Sequence, residues 1–149
     1  MLFRSHGELE KGEAIAAAIR GRYDGDKRNP WNEIECGSNY ARSMAAYAML
    51  QAYSGFCYDM TRGMIGFFPK TKGDFRCFWS LGRAWGMFER IGNAFYIKLL
   101  HGSLALKSMR VPCSAASLNG TPVAGRVIGD EWTADSPVNV VANDIIVLK

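Results

Sequence analysis

The sequence is poor in the residues that build metal sites and disulfide frameworks. It contains two histidines, and its four cysteines, which include no Cys-x-x-Cys pair, are spread widely along 149 residues. Neither zinc-ligand spacing nor a disulfide scaffold is therefore expected. We predict no metal, no cofactor, and reduced cysteines of the kind typical of cytoplasmic proteins.

Long apolar runs and basic runs are also missing. The apolar stretches are interrupted by Arg, Lys or Gly and fall short of the ~20 residues of a membrane span. Residues 1–8 lack the basic start and apolar middle of a signal peptide, so we expect a cytoplasmic protein without a transmembrane segment. The net charge is +4, but the cations are scattered, with no run longer than Lys27-Arg28. A nucleic-acid partner is therefore not expected.

The residues that are present change character near Gly55. The chain is 48% hydrophobic, which suits one globular unit with a core. Helical patterns precede Gly55, and strand patterns follow it. The predicted fold class is α+β, with core-type helices over residues 1–55 and antiparallel strands forming a sheet or small sandwich over residues 56–149.

Two segments before Gly55 have helical patterns. Glu8–Arg20 has acidic residues early and arginine late, as the helix dipole favours, and Gly21 or Gly25 would end it. The second helix is predicted at Asn39–Tyr53 and is apolar almost all the way round. Such a helix needs neighbours on several sides, so we expect an open apolar patch unless other helices cover it.

Beyond Gly55, alternating apolar and polar residues predict short strands. The expected strands are Met64–Phe68, Phe75–Ser80, Ala84–Glu89, Ala94–Leu100, Leu104–Val111, Leu118–Val123, Val138–Val141 and Ile145–Leu148. Turns are expected at Leu81–Arg83, at His101–Ser103 and at Asn119–Gly120, a strong hairpin signal.

Three tryptophans and a histidine in this region have predicted roles. We expect Trp79 and Trp85 to be packing residues where sheet meets helix, with the lining of a sugar subsite as the alternative. Trp132 is interpreted as a loop residue that caps the last sheet, and His101 as a surface turn residue.

The loop before the second helix concentrates polar residues around Trp31. Arg42 falls in the first turn of the predicted helix, where the positive end of the dipole disfavours a cation. It therefore requires a carboxylate partner, and Glu33 or Glu35 is the nearest. An Arg–Glu pair beside an indole suits a sugar, because the charges bind hydroxyl groups and the indole contacts C–H groups. The alternative is a structural salt bridge that fixes the loop to the helix.

This loop resembles part of glycoside hydrolase family 116, the family of the bile-acid β-glucosidase, also called non-lysosomal glucosylceramidase. The similar segments cover roughly the first two thirds of the chain. They are Asn29–Gly37, Tyr40–Met44, Ser54–Phe56 with Tyr58-Asp59, Phe67–Pro69, Asp74–Ser80, Ala84–Gly86, and the tract after Ile97.

The resemblance implies a retaining β-glucosidase whose catalytic region is a toroid of paired helices. It implies that Glu33 and Arg42 hold glucose hydroxyls, with Glu35 as a supporting charge, and that the substrate is a β-glucoside or a glucose-containing glycolipid. The family's nucleophile and acid/base lie upstream of the Asn-Pro-Trp-Asn-Glu motif. We therefore expect a C-terminal fragment that is inactive alone and pairs with the missing upstream part.

Two other functions remain open from the sequence. One is a stand-alone carbohydrate-binding module that uses Trp31, Trp79 and Trp85. The other is a structural subunit that completes another polypeptide through the apolar side of the second helix. An open patch around Tyr40, Met44, Tyr47 and Ala48 would favour the structural subunit.

Overall fold

A computed structural model of the chain describes residues 8–21 and 43–149. It divides the chain into two compact units, Met1–Tyr53 and Ser54–Lys149. The predicted sugar clamp of Glu33 and Arg42 lies outside the described residues. So do the side chains on which the expected apolar patch of the second helix depends.

The first unit contains two helices within its described residues. Helix α1 spans Leu9–Arg20 and helix α2 spans Ser43–Ser54. The predicted end of the first helix is confirmed, because the Gly21 amide donates the last helical hydrogen bond and the helix stops there. Helix α2 carries no charged residue. Neither helix is long and apolar enough to span a membrane.

The second unit is built from strands. They are β1 (Cys57–Asp59), β2 (Met64–Gly66), β3 (Phe75–Ser80), β4 (Ala84–Ile91), β5 (Ala94–Arg110), β6 (Ala116–Leu118), β7 (Thr121–Val123), β8 (Gly125–Ile128), β9 (Glu131–Val141) and β10 (Ile145–Leu148). The prediction of helices followed by a strand-rich region is confirmed. The β3–β4 hairpin and β10 begin at the predicted residues, and β6–β7 turns at Asn119-Gly120, where both φ angles are positive.

Strand β5 organises the strand-rich unit, because it takes part in four ladders and belongs to two sheets. Its first half pairs with β4 on one side and with β10 on the other. With β3, β6 and β7 these strands form what we call the first sheet. The second half of β5 pairs with β9 in antiparallel and with β2 in parallel orientation. Strands β1 and β8 complete this second sheet. The described strands are therefore mainly antiparallel, as predicted, with β2–β5 as the parallel pair among them.

The predicted turn at His101–Ser103 is also wrong, because β5 runs straight through it. Trp85 pairs with His101 and Gly86 pairs with Leu99, which leaves Leu100 as an extra residue in β5. Such a β-bulge bends a strand without ending it. Gly102, with φ of 83°, supplies the backbone conformation that the sequence pattern attributed to a turn.

The bulge changes which residues of β5 face the core. Phe95, Ile97 and Leu99 are buried before it, whereas Leu104 and Leu106 are buried after it. Because the buried positions switch from odd to even numbers, both halves of one strand bury their apolar side chains. A regular strand would have exposed one of the two sets.

The core of the strand-rich unit is aromatic and aliphatic. Phe67 and Phe88 stack with centroids 4.1 Å apart and planes at 7°. Trp79 is 2% exposed, which confirms its packing role. Trp132 is 1% exposed and lies on β9, so its interpretation as a loop cap is wrong, because β9 begins seven residues before the predicted strand Val138–Val141.

Candidate functional site

Of the predicted second helix, which follows the predicted sugar clamp in the sequence, the structure describes the part from Ser43 onward. Helix α2 begins at Ser43, the residue directly after Arg42. Glu33, Glu35, Trp31 and Arg42 themselves lie outside the described residues. The clamp therefore stays a prediction.

Several carboxylates of the strand-rich unit are held by structural hydrogen bonds. They include Asp59, which accepts from Thr61, Asp130, which accepts from Arg110, and Asp144, which accepts from the backbone of Val141. These hydrogen bonds hold the pKa of all three carboxyl groups below the usual value. A glycosidase acid needs a raised pKa, so these three groups suit structural roles.

Two aromatic side chains are exposed on the outer face of the first sheet, next to a histidine. Phe78 on β3 and Trp85 on β4 are 43% and 40% exposed. The Trp85 ring lies 6.0 Å from that of Phe78 and 5.8 Å from that of His101 on β5, nearly parallel to the latter at 16°. We call Phe78, Trp85 and His101 the aromatic platform. This exposure argues against the predicted packing of Trp85 where sheet meets helix and is compatible with the alternative of a sugar subsite.

Strand alternation explains why these rings face solvent. Cys77 and Trp79 flank Phe78 along β3 and point to the core, so Phe78 points away from it. Trp79 pairs with Gly86, and the small glycine leaves room for the indole on the inner side. Trp85, the neighbour of Gly86, therefore faces outward.

A charged cluster lies on the same outer face, beside the aromatic platform. Glu89 on β4 is 7% exposed, and its Oε1 lies 3.0 Å from the Arg76 Nε and 3.3 Å from the Lys98 Nζ. Arg76 pairs directly with Glu89, two residues along β3 from Phe78. Side chains two residues apart share a face and lie ~7 Å apart, so the cluster adjoins the platform. We call Arg76, Glu89 and Lys98 the charged cluster.

The charged cluster borders an open cleft of about 280 Å³. Its other walls include Asp74, which accepts a hydrogen bond from the Gly92 amide at 2.9 Å, and Arg90. The Arg90 guanidinium donates to the backbone carbonyls of Thr71 and Gly73, which fixes it at the rim. Glu89 is thus a largely buried carboxylate that still faces a space of ligand size.

A second polar cleft lies at the second sheet. It measures about 380 Å³ and is lined by Thr61, Arg62, Lys107, Ser108, Glu131 and Thr133. The Glu131 carboxylate accepts a hydrogen bond from the Ser108 hydroxyl at 3.0 Å and pairs with Arg62 at 3.4 Å. No aromatic residue is among the residues that line this cleft. It therefore does not combine exposed rings with fixed charges, as the outer face of the first sheet does.

Sequence reasoning found only one of the important residues on the outer face. It singled out Trp85 but also Trp79, whose burial excludes it from binding. It missed Phe78 and the charged cluster. Phe78 could have been found from its place between the buried Cys77 and Trp79 on β3. The approach of Lys98 to Glu89 depends on the register in which β4 pairs with β5.

Comparisons with known proteins identify no relative. No protein-family model matches the chain, and no curated protein matches it. Within residues 8–21 and 43–149, no group of three or more His, Cys, Asp or Glu side chains is placed to hold a metal ion.

Proposed function

We propose that the chain contributes glucose-binding residues to a retaining β-glucosidase-type site, in which Glu33 and Arg42 hold the hydroxyls of a terminal glucose. The substrate is a β-glucoside or a glucose-containing glycolipid. Neither the nucleophile nor the acid/base carboxyl is assigned to this chain. They belong to the preceding part of such a catalytic region.

One observation carries this proposal, namely the unbroken motif Asn29–Gly37 followed by Tyr40–Met44, in which Arg42 comes nine positions after Glu33. The sequence pattern supports it at one more point, because Arg42 falls in the first turn of the predicted helix, where a cation needs an anionic partner. A fork of guanidinium nitrogens paired with a carboxylate is well suited to fix hydroxyl groups in direction.

The described cysteines fit the proposed cytoplasmic location. Cys57, Cys77 and Cys113 are free thiols. Free thiols are typical of reducing compartments.

The test is hydrolysis of an aryl β-glucoside by the purified chain, with a glucose-dependent thermal shift measured on the same sample. We expect no turnover and a rise in melting temperature with glucose. Arg42→Ala and Glu33→Gln should each abolish that rise. Asp135→Asn changes an exposed carboxylate on β9 outside the motif and serves as the control, which should keep most of the rise.

Two results would contradict the proposal. Hydrolysis that survives in Glu33→Gln would mean that a catalytic carboxyl pair exists within this chain. A glucose shift that is unchanged in Arg42→Ala would mean that glucose binds elsewhere.

A further inference from the structure

The outer face of the first sheet combines exposed rings with fixed charges. Trp85 lies between Phe78 and His101, with ring centroids 6.0 Å and 5.8 Å away. Because neighbouring rings restrict the indole in the free protein, a ligand that stacks on it loses little side-chain entropy on binding. The platform is therefore preorganised.

The rings and the charges select different parts of a ligand. The face of an aromatic ring carries partial negative charge and favours flat groups with weakly positive C–H edges. The charged cluster beside it offers the Arg76 guanidinium, whose side chain is 69% exposed, as a hydrogen-bond donor. A ligand that suits both has an apolar C–H face and hydroxyl groups around its rim. Pyranose rings have both.

Glu89 adds a hydrogen-bond acceptor. Both ion pairs of Glu89, with Arg76 and with Lys98, use its Oε1. Within the described residues the hydrogen bond to Glu89 goes to Oε1 and none is found at Oε2, and Glu89 lines the 280 Å³ cleft. A ligand hydroxyl in the cleft can therefore donate to a carboxylate that is held in place by two cations, and hydrogen bonds to charged groups are the stronger kind.

The length of the surface indicates the class of sugar, whereas its rings do not form one plane, because Phe78 and Trp85 are inclined at 46°. Trp85 and Glu89 are four residues apart on β4, which corresponds to about 13 Å along a strand. This length exceeds one pyranose ring, so the surface suits an oligosaccharide. Equatorial β-1,4 linkages keep a glucose chain extended, so that it can follow β4 from Trp85 to Glu89, whereas α-1,4 linkages coil the chain away from such a line.

We propose that this outer face is a saccharide-binding surface for a β-1,4-linked glucose oligomer, with Trp85 and Phe78 as the stacking rings and Arg76, Glu89 and Lys98 as the hydroxyl-binding groups. It uses neither residue of the predicted pair Glu33 and Arg42 and does not depend on the proposed function. It requires no catalysis.

The test measures binding of cellopentaose to the whole chain by isothermal titration calorimetry and by protection of tryptophan fluorescence from acrylamide. We expect saturable binding that shields Trp85. Trp85→Ala should raise the Kd about tenfold or more, and Trp85→Tyr, which keeps a ring, should retain most of the affinity. Val141→Ala removes a side chain that is 52% exposed on β9 and is the matched control with unchanged Kd.

Further variants test the second ring, the charged cluster and the linkage of the sugar. Phe78→Ala and Arg76→Ala should each weaken binding, and circular dichroism should show the folded spectrum for every variant. Maltopentaose should bind more weakly than cellopentaose, and equal affinity would overturn the assigned linkage. Cellopentaose binding that Arg42→Ala abolishes and Trp85→Ala leaves unchanged belongs to the predicted glucose clamp and overturns this proposal.

Two more outcomes would overturn it. One is the absence of any cellopentaose binding to the folded wild-type chain at millimolar concentration. The other is concentration-dependent dimerisation, seen by analytical ultracentrifugation, that Trp85→Ala abolishes while cellopentaose has no effect. That result would assign the exposed rings to a contact between two copies of the chain.

Discussion

Gly86 provides a sharp test of how closely β4 and β5 approach each other. A Cβ atom at this position would lie 1.8 Å from the Lys98 carbonyl oxygen and 3.0 Å from the Trp79 ring. Neither neighbour can move easily, because the first is strand backbone and the second is a ring that is 2% exposed. Gly86→Ala therefore forces the two strands apart beside the bulge at Leu100.

The expected cost follows from packing. Overfilling a packed core costs roughly 1–3 kcal/mol, and each ladder hydrogen bond that is lost adds about 1 kcal/mol. We expect Gly86→Ala to lower the free energy of unfolding by roughly 3 kcal/mol. For a unit of this size the melting temperature should fall by roughly 10–20 °C.

The assay is guanidinium unfolding followed by tryptophan fluorescence, with linear extrapolation to water. Gly82→Ala is the matched control, because a Cβ at Gly82 would meet nothing within 4 Å. It should change the unfolding free energy by less than about 0.5 kcal/mol, or raise it slightly by restricting the unfolded chain. Equal unfolding midpoints for the two variants would refute the close approach and the strand register across the bulge.

Three further predictions concern the core, a thiol and acid stability. Phe88→Ala removes a fully buried ring that stacks on Phe67, and urea unfolding should show a loss of roughly 3–5 kcal/mol. Burial raises the pKa of Cys77 to about 12. In a variant whose other cysteines are replaced by serine, a thiol reagent at pH 8 should therefore label Cys77 only when the protein unfolds. Rapid labelling of the native protein would contradict the burial of this thiol. The hydrogen bond from the Val141 amide lowers the pKa of Asp144 in the folded state. The ionised carboxylate therefore stabilises the fold above the unfolded pKa of about 3.9, and this stabilisation is lost as pH falls through the lower folded pKa. Asp144→Asn should therefore flatten the decline of unfolding free energy below about pH 4, and an unchanged slope would contradict this contribution.

Local signals were sufficient where neighbouring segments pair with each other. The β3–β4 hairpin follows from alternation on both sides of Leu81–Arg83, and the β6–β7 turn follows from Asn119-Gly120. In both cases the partner strand is a few residues away. The turn residues and the period of two therefore determine the structure together.

Glycine was misleading where a strand bends without reversing. Gly102 has the positive φ of a turn residue, yet a Cβ there would lie 1.9 Å from the Arg83 carbonyl oxygen. The glycine is required by the close approach of β4 and by the bulge. A local pattern cannot distinguish a turn from a bulge, because both need the same backbone freedom.

The candidate sites also differ in how much of each could be predicted from the sequence. The predicted clamp of Glu33 and Arg42 came from a motif along one loop and stays a prediction. Trp85 was identified as a candidate from its residue type, but its exposure depends on the side of β4 that the tertiary structure buries. The approach of Lys98 to Glu89 depends on a strand pairing.

The sequence by itself determined that helices precede strands and that β3–β4 and β6–β7 form hairpins, because these depend on periodicity and on turn residues close in the chain, but it did not predict β1, β8 or the first half of β9. Only the tertiary structure decided that β5 serves two sheets, that β2 joins it in parallel across more than forty residues, and that Trp79 is buried while Trp85 is exposed. These features depend on contacts between distant segments. No local pattern records such contacts, because burial is a property of the surface that remains after all strands have paired.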